Sequence, residues 1–142
     1  MSTSTANASW TGGLKDGSGV MKPAHAAEAP FSLGTRFEGQ PGTNPEEMIG
    51  AALAGCFSMA LSLGLEKAGL APQSIQTSAR VHLGKDGEAG FKISQIELKT
   101  EVKVGDVDEA RFQAIALETK NGCPVSKALG GTEIVLEAHL MS

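Results

Sequence analysis

Alternating apolar and polar residues predict three strands in the second half of the chain. Residues 74–83 alternate cleanly, so one face of this strand is apolar and the other polar. In residues 91–104 the apolar phase changes, and a bulge near Gln95 would return the apolar residues to one buried face. These two segments should form an antiparallel hairpin. Residues 132–140 predict the last strand by the same alternation.

Shorter apolar runs predict further strands before residue 44. Residues 6–11, 19–22 and 31–37 are apolar runs separated by glycine-rich turns, which is typical of short strands.

A long apolar stretch predicts one central helix over residues 45–67. Asn44 is a favourable N-cap, Pro45 suits the first helical position, and Glu47 would complete a capping box. From Met48 to Leu65 there are 18 residues without a charge, which reaches the threshold for a membrane span. Glycine, serine and alanine interrupt this stretch, however. We therefore expect a helix buried within protein on nearly every side.

Two shorter helices complete the predicted elements. Asp106 or Asp108 should cap a helix that ends near residues 121–122, with Phe112 in its apolar stripe. Cys123 and Pro124 then open a short helix. Helices and strands are largely segregated along the chain, which favours an α+β fold with a mainly antiparallel sheet around the long helix. At 142 residues, the chain should form a single domain over residues 1–142.

Charge and composition exclude several function classes. The net charge is −4 and there is no basic run, so a nucleic-acid or membrane partner is not expected. The polar N-terminus does not resemble a signal peptide, so we expect a cytoplasmic protein. With three scattered His and no CxxC pair, a metal site is not expected either.

The two cysteines are the main candidates for chemistry. Cys56 lies within an apolar part of the long helix, where a thiol is usually an inert core residue. Cys123 immediately precedes a helix, where backbone N–H groups favour a thiolate. Whether the two thiols meet cannot be read from their spacing. If they do, one could react and the other could resolve it as a disulfide.

Arg36 needs a carboxylate partner if it is partly buried, and otherwise it is a surface residue. Glu46 and Glu47 are the candidates, and Glu47 already has a capping role. On a helix that turns by about 100° per residue, Glu46 projects about 80° from Cys56 and Glu47 about 180°. Glu46 nevertheless lies about 15 Å along the axis from Cys56. A second copy of the helix, crossing in the opposite direction, would bring its own Glu46 close, which suggests a site built by two subunits.

Four segments together resemble one known family, the OsmC/Ohr family, and most closely its OsmC branch (osmotically inducible protein C). They read TRFEG at 35–39, GTNPEE at 42–47, GAALAGCFSMAL at 50–61 and GCPVS at 122–126. The resemblance extends over essentially the whole chain. Residues 21–30 and 84–90 match the family pattern least.

The resemblance implies an intertwined homodimer that acts as a thiol-dependent peroxidase on small organic hydroperoxides, with sites at the subunit interface. Cys56 matches the attacking cysteine, Cys123 the resolving one, Arg36 the activating arginine and Glu46 the carboxylate that holds it. The family needs no metal, haem or flavin; its reductant is an external dithiol, typically a protein-bound lipoyl group in the Ohr branch. An apolar substrate wall is expected from four residues: Met48, Leu53, Phe57 and Met59.

Three alternatives are compatible with the sequence. The chain could be a non-catalytic member of the same fold that binds hydrophobic ligands, although a pure binder needs no resolving thiol. It could be a redox sensor, although it has no DNA-binding helix pair or basic face. It could also be a structural protein with two inert thiols.

Overall fold

The computed structural model describes residues 1–142 and contains six strands and four helices. In chain order the elements are β1 (Ala6–Thr11), β2 (Ser18–Pro23), β3 (Ala29–Phe31), α1 (Leu33–Phe37), α2 (Pro45–Lys67), β4 (Pro72–Lys85), β5 (Phe91–Val104), α3 (Glu109–Gly122), α4 (Pro124–Ala128) and β6 (Glu133–Met141). The chain divides into two compact units, Met1–Met48 and Ile49–Ser142. The single domain expected over residues 1–142 stays a prediction.

The first unit contains a three-stranded antiparallel sheet in the order β1-β2-β3. Gly19 pairs with Trp10 on one side and with Phe31 on the other, and the two aromatic rings lie 5.5 Å apart. A Cβ atom at Gly19 would come within 2.9 Å of both rings. Glycine at this position therefore allows the two aromatic side chains to pack together above the sheet.

Residues 31–37 do not form the single strand that their apolar character predicts. Strand β3 ends at Phe31, and Ser32 then caps the short helix α1. The Ser32 hydroxyl accepts from the Thr35 N–H at 3.2 Å, and the Ser32 N–H donates to the Thr35 hydroxyl at 2.9 Å. This reciprocal pair satisfies two backbone N–H donors at the helix start, so the local capping hydrogen bonds override the strand pattern.

Helix α2 begins and ends where the sequence predicts. The Asn44 carboxamide oxygen accepts from the Glu47 N–H at 2.9 Å, as expected for an N-cap. The expected capping box is wrong in one detail, because the Glu47 carboxylate accepts from the Thr43 hydroxyl at 2.7 Å instead. Glu47 is thus occupied at the helix start, as the sequence suggested.

Within its own chain α2 is buried on one face, and its burial on nearly every side stays a prediction. The buried face repeats every four residues and is fully inaccessible to solvent: Leu53, Phe57, Leu61 and Leu65. The opposite face is exposed and has no charged residue: Ala51, Ala52, Gly55, Met59 and Leu63. By length and composition α2 could cross a membrane, but a core helix of a soluble protein passes the same test.

The small residues of α2 permit close packing in the second unit. A Cβ atom at Gly50 would lie 3.2 Å from the side chain of Val81 on β4. At Gly64 it would lie 3.3 Å from the side chain of Ile115 on α3. Glycine therefore lets one strand and one helix approach α2 from different directions.

The sheet of the second unit has the order β4-β5-β6. The predicted hairpin is confirmed, since β4 and β5 pair antiparallel over nearly their whole length. The predicted bulge is also confirmed: Ile93 pairs with Leu83 and Gln95 with His82, which leaves Ser94 as the extra residue. Strand β6 pairs parallel with β5, because α3 and α4 carry the chain back to the same end of the sheet.

The core of the second unit combines α2, the sheet and α3. Asp108 caps α3 by accepting from the Arg111 N–H at 2.7 Å, which settles the choice between Asp106 and Asp108. The buried apolar residues are Leu53, Phe57, Leu61, Leu65, Ile96, Leu98, Val102, Val104, Phe112, Ala116, Cys123 and Ala138. One of the two cysteines is therefore a full member of the core.

Two residues on α3 provide a matched test of this core. Phe112 is fully buried, whereas Leu117 is 52% exposed. Phe112→Ala should lower the free energy of unfolding by about 3–5 kcal/mol, because it removes apolar contacts and leaves a cavity. Leu117→Ala should lower it by less than about 1 kcal/mol. Urea denaturation of both variants measures the difference, and equal losses would contradict this description of the core.

Candidate active site

Cys123 lies at the junction of two helices. It follows the last residue of α3 and is the N-cap of α4, with Pro124 at the first helical position. Its N–H donates to the Thr119 carbonyl at 2.9 Å, while its side chain makes no capping hydrogen bond. Only 1% of the residue is exposed. A buried cysteine therefore occupies the N-cap position, as the sequence predicts, without capping the helix through its side chain.

Cys56 faces Cys123 from the middle of α2. It lies between Leu53 and Phe57 on the helix, is half-buried, and packs against the hydrophobic core. The two sulfur atoms are 2.8 Å apart. Residues separated by 67 positions in the sequence are thus brought into direct contact. Both thiols are free in this structure, so it describes the reduced form.

The surroundings shift the two thiols in opposite directions. Burial raises the pKa of Cys56, and the hydrogen bond that its thiol makes to Cys123 raises this pKa further. Burial also opposes ionisation of Cys123. When Cys123 is ionised, its sulfur would accept hydrogen bonds from the Cys56 thiol, from the Ser126 and Val125 N–H groups and from the Ser126 hydroxyl. Together these outweigh the burial and lower the pKa of Cys123. Within this unit, Cys123 is therefore the sulfur that ionises more readily.

Arg36 and Glu46 form an ion pair in the first unit. Arg36 comes from the last turn of α1 and Glu46 from the first turn of α2. The Arg36 Nε donates to the Glu46 Oε1 at 2.9 Å and Nη2 donates to the same oxygen at 2.5 Å. Glu46 is only 7% exposed. The predicted choice of Glu46 over Glu47 as the partner of Arg36 is confirmed.

An apolar cavity of about 210 Å³ lies beside Arg36 in the first unit. It is lined by Trp10, Leu14, Phe31, Ser32, Leu33, Arg36 and Phe37. The guanidinium carbon of Arg36 also lies 5.4 Å from the centre of the Phe37 ring, within the range of a cation–π contact. The sequence reading missed this cavity, because its residues come from four separate segments and show no common periodicity.

The expected substrate wall is not a single surface. Leu53 and Phe57 belong to the core and are fully inaccessible, so they cannot contact a substrate in this form. Met59 is 75% exposed on the opposite face of α2. Met48 is half-buried in the first unit. The prediction treated neighbours in sequence as neighbours on one surface, whereas helical rotation separates Phe57 from Met59 by about 160°.

No group of three His, Cys, Asp or Glu residues within residues 1–142 is placed to hold a metal ion.

Comparison with known proteins identifies the family. The family model described as "OsmC-like protein" matches residues 37–138. Peroxiredoxin OsmC of Escherichia coli is 49% identical over 137 residues, which cover 95% of this chain and 94% of that protein. The chain belongs to the OsmC family.

A second branch of relatives supports the same assignment. The organic hydroperoxide resistance protein OhrB of Bacillus subtilis is 34% identical over 102 residues, which cover 70% of this OsmC-family chain and 72% of OhrB. The crystal structure of OhrB matches 96% of this chain and 98% of its own, with a TM-score of 0.68 and 26% identity. The fold predicted from sequence, an OsmC-like α+β fold, is confirmed.

The contact between the two sulfurs predicts an intramolecular disulfide in this OsmC-family chain. Treatment of the reduced protein with diamide should remove two hydrogen atoms from the intact mass, since the thiols are already in contact. Peptide mapping should place the bond between Cys56 and Cys123. The variants Cys56→Ser and Cys123→Ser should show no such loss. Disulfide-linked pairs of chains as the main product would contradict the prediction.

Proposed function

We propose that this chain is a thiol-dependent peroxidase that reduces organic hydroperoxides to alcohols in the defence against oxidative and osmotic stress. The observation that carries the proposal is the 2.8 Å contact between the sulfurs of Cys56 and Cys123. Identity of 49% to Peroxiredoxin OsmC over nearly the whole chain supports a peroxidase. The relatives named for organic hydroperoxide resistance support the substrate class.

The first step oxidises Cys56. Its thiolate attacks one oxygen of the peroxide, the O–O bond breaks, and the substrate leaves as an alcohol after it takes up a proton. Cys56 becomes a sulfenic acid. The Arg36 guanidinium donates to the peroxide oxygens and offsets the negative charge that develops on the leaving oxygen.

The second step forms the disulfide. The Cys123 thiolate attacks the sulfenic sulfur of Cys56, and hydroxide leaves and is protonated to water. A dithiol from outside the chain then reduces the disulfide by exchange, through a mixed disulfide. No prosthetic group takes part in either step. A lipoyl group carried by another protein is the reductant that we propose, in the cytoplasm, where disulfides do not accumulate.

Cys56 requires a cation to act as the attacking sulfur. Its surroundings within the second unit raise its pKa, so they do not ionise it at neutral pH. An arginine is permanently charged and would favour the thiolate if it lay against the sulfur. Arg36 fits this role because Glu46 holds its side chain in one orientation.

We propose that Arg36 reaches Cys56 of a partner subunit. Glu46 and Cys56 lie ten residues apart on one helix, or about 15 Å along its axis, so one α2 does not place them side by side. A two-fold axis that crosses two copies of α2 in opposite directions would do so. The exposed, uncharged face of α2 supports such a homodimer, because a patch of this kind is typical of an interface.

The apolar cavity beside Arg36 supports a preference for alkyl hydroperoxides over hydrogen peroxide. Burial of an alkyl group in this cavity would remove apolar surface from water, which is favourable. Hydrogen peroxide has no apolar group to bury. The same interface would therefore bring the cation and an apolar wall to the sulfur together.

A steady-state assay tests the proposed function. The reduced chain should consume an alkyl hydroperoxide faster than hydrogen peroxide, with dihydrolipoyl protein as the electron donor and little turnover with thioredoxin. The measurement is the loss of peroxide at equal concentrations of the two substrates. A folded, reduced chain with no turnover on either peroxide would favour the non-catalytic ligand-binding alternative.

Single-turnover measurements on the two cysteine variants are the control for the steady-state assay. Cys56→Ser should abolish the first turnover, whereas Cys123→Ser should still reduce one equivalent of peroxide and accumulate the sulfenic acid. Loss of that first turnover in Cys123→Ser, with Cys56→Ser still active, would reverse the assigned roles.

Mixed dimers test the origin of the arginine. Arg36→Ala alone should lower the rate of the first step about 100-fold, because it removes the group that stabilises the leaving oxygen. Co-expression of Arg36→Ala with Cys56→Ser should restore activity, since a mixed dimer then holds one site with both groups intact. The measurement is the peroxidase rate of purified mixed dimers. Activity that stays at the level of the separate variants would place Arg36 and Cys56 of each site on one chain.

A further inference from the structure

One buried hydroxyl in the second unit has no hydrogen-bond partner. Ser126 is 7% exposed, and its Oγ is the buried side-chain oxygen or nitrogen that lacks a partner in the structure. Most buried polar groups in proteins are hydrogen-bonded, and an exception calls for a physical reason. The two other buried hydroxyl side chains, Thr100 and Thr119, both have partners.

The position of Ser126 relates it to Cys123. Cys123 is the N-cap of α4, and Ser126 is the third residue of that helix. The N-cap residue and the third helical residue are close neighbours, and in a capping box the side chain of each reaches the backbone N–H of the other. The Ser126 hydroxyl also contributes to the lowered pKa of Cys123, together with the N–H groups of Val125 and Ser126. The orphan hydroxyl is thus next to a sulfur that can accept a hydrogen bond when it is ionised.

We propose that Ser126 is a positioning residue that donates a hydrogen bond to the Cys123 thiolate and so keeps this sulfur ready to resolve the oxidised Cys56. The role rests on the proposed peroxidase function. A thiol accepts hydrogen bonds weakly, whereas a thiolate accepts them strongly. The Ser126 hydroxyl can therefore lack a partner while Cys123 is a thiol and donate a strong hydrogen bond once Cys123 is a thiolate.

The same hydrogen bond acts twice in the reaction sequence. It first stabilises the thiolate of Cys123 that attacks the sulfenic sulfur of Cys56, which forms the S–S bond and releases hydroxide. It acts again when one thiolate of the external dithiol attacks Cys56, the S–S bond breaks, and the electron pair leaves on Cys123. The sulfur with the lower pKa leaves faster, so the mixed disulfide forms on Cys56.

The titratable and charged groups around Cys123 are few. Cys56 faces it from α2. The groove that ends at Cys123 is also lined by Lys67 of α2 and by Arg111 and Glu118 of α3, and all three side chains are exposed to solvent. Solvent screens charges of this kind, whereas a hydroxyl next to the buried sulfur is not screened.

Titration of a single thiol tests the proposal without any peroxide. In a Cys56→Ser background only Cys123 ionises among the cysteines, and its thiolate is followed by ultraviolet absorbance. Ser126→Ala should raise the pKa of Cys123 by about one unit, since a hydrogen bond to a charged group is lost. Ser126→Thr keeps the hydroxyl and should leave the pKa near its original value.

Thr119→Val is the matched control. Thr119 is buried to nearly the same degree as Ser126, but its hydroxyl already donates to the Ile115 carbonyl at 2.8 Å. Its loss should not move the pKa of Cys123. An unchanged pKa in Ser126→Ala, or an equal shift in Thr119→Val, would overturn the proposal. Ser126→Ala should also melt no lower than the parent, because it removes a hydroxyl that makes no hydrogen bond in the thiol form.

A second measurement addresses the reaction itself. With Cys56 present, the Cys56 sulfenic acid, detected by dimedone trapping, should persist about tenfold longer in Ser126→Ala at pH 7. The difference should disappear at high pH, where Cys123 is ionised in both proteins. A delay that is the same at every pH would indicate a merely structural effect. If no sulfenic acid forms in the parent chain, the peroxidase proposal fails, while the thiol titration still decides the role of Ser126.

Discussion

The regular geometry of α2 is the constraint on which the rest of the structure depends. A helix fixes both the distance and the angle between any two of its residues. In α2 it places a leucine and phenylalanine row on the core, a half-buried Cys56 beside that row, and a buried Glu46 in the first turn. Glu46 and Cys56 of one chain therefore cannot lie side by side. Any chemistry that needs both must bring a second element to each of them.

The structure supplies those second elements by local rules. A capping box at Ser32 turns the chain into α1, and this turn sets Arg36 against Glu46. A proline at the first position of α4 starts that helix at Cys123, and α3 carries the sulfur to Cys56. Each of these two residues therefore comes from the end of a helix, Arg36 from the last turn of α1 and Cys123 from the N-cap position of α4.

Much of this could be predicted from the sequence, because caps, prolines and alternation act over a few residues. The start of α2 after Asn44 and the bulge beside Gln95 follow from such rules. Glu46 is the preferred partner of Arg36 because Glu47 has a role at the helix start and projects away from Cys56. The features that could not be predicted depend on competition between two local patterns, or on contacts between segments far apart in the sequence. The strand pattern of residues 31–37 lost to side-chain capping, and the parallel pairing of β6 depends on where α3 and α4 return the chain.

The contact between the two sulfurs and the exposed face of α2 could not be predicted either, because both depend on which parts of the chain meet in space. Spacing along a chain does not report spatial contact, so 67 residues between two cysteines neither favour nor exclude a meeting. An uncharged helix likewise does not indicate whether its own chain covers it. The chain covers only the row that ends at Leu65, while Met59 remains in solvent.

The pKa values of the two thiols shift in opposite directions, so the proposed role of Cys56 as the attacking sulfur requires a cation beside it. Two adjacent sulfurs that share one hydrogen bond cannot both ionise easily, and the second unit alone favours the charge on Cys123. A cation must change that balance if Cys56 is to attack. Arg36 uses its Nε and Nη2 to hold Glu46, which leaves the Nη1 side of the guanidinium free to donate elsewhere. A lysine could not bind Glu46 and also direct a second N–H donor at a fixed angle, because its ammonium lacks the planar set of N–H groups of a guanidinium.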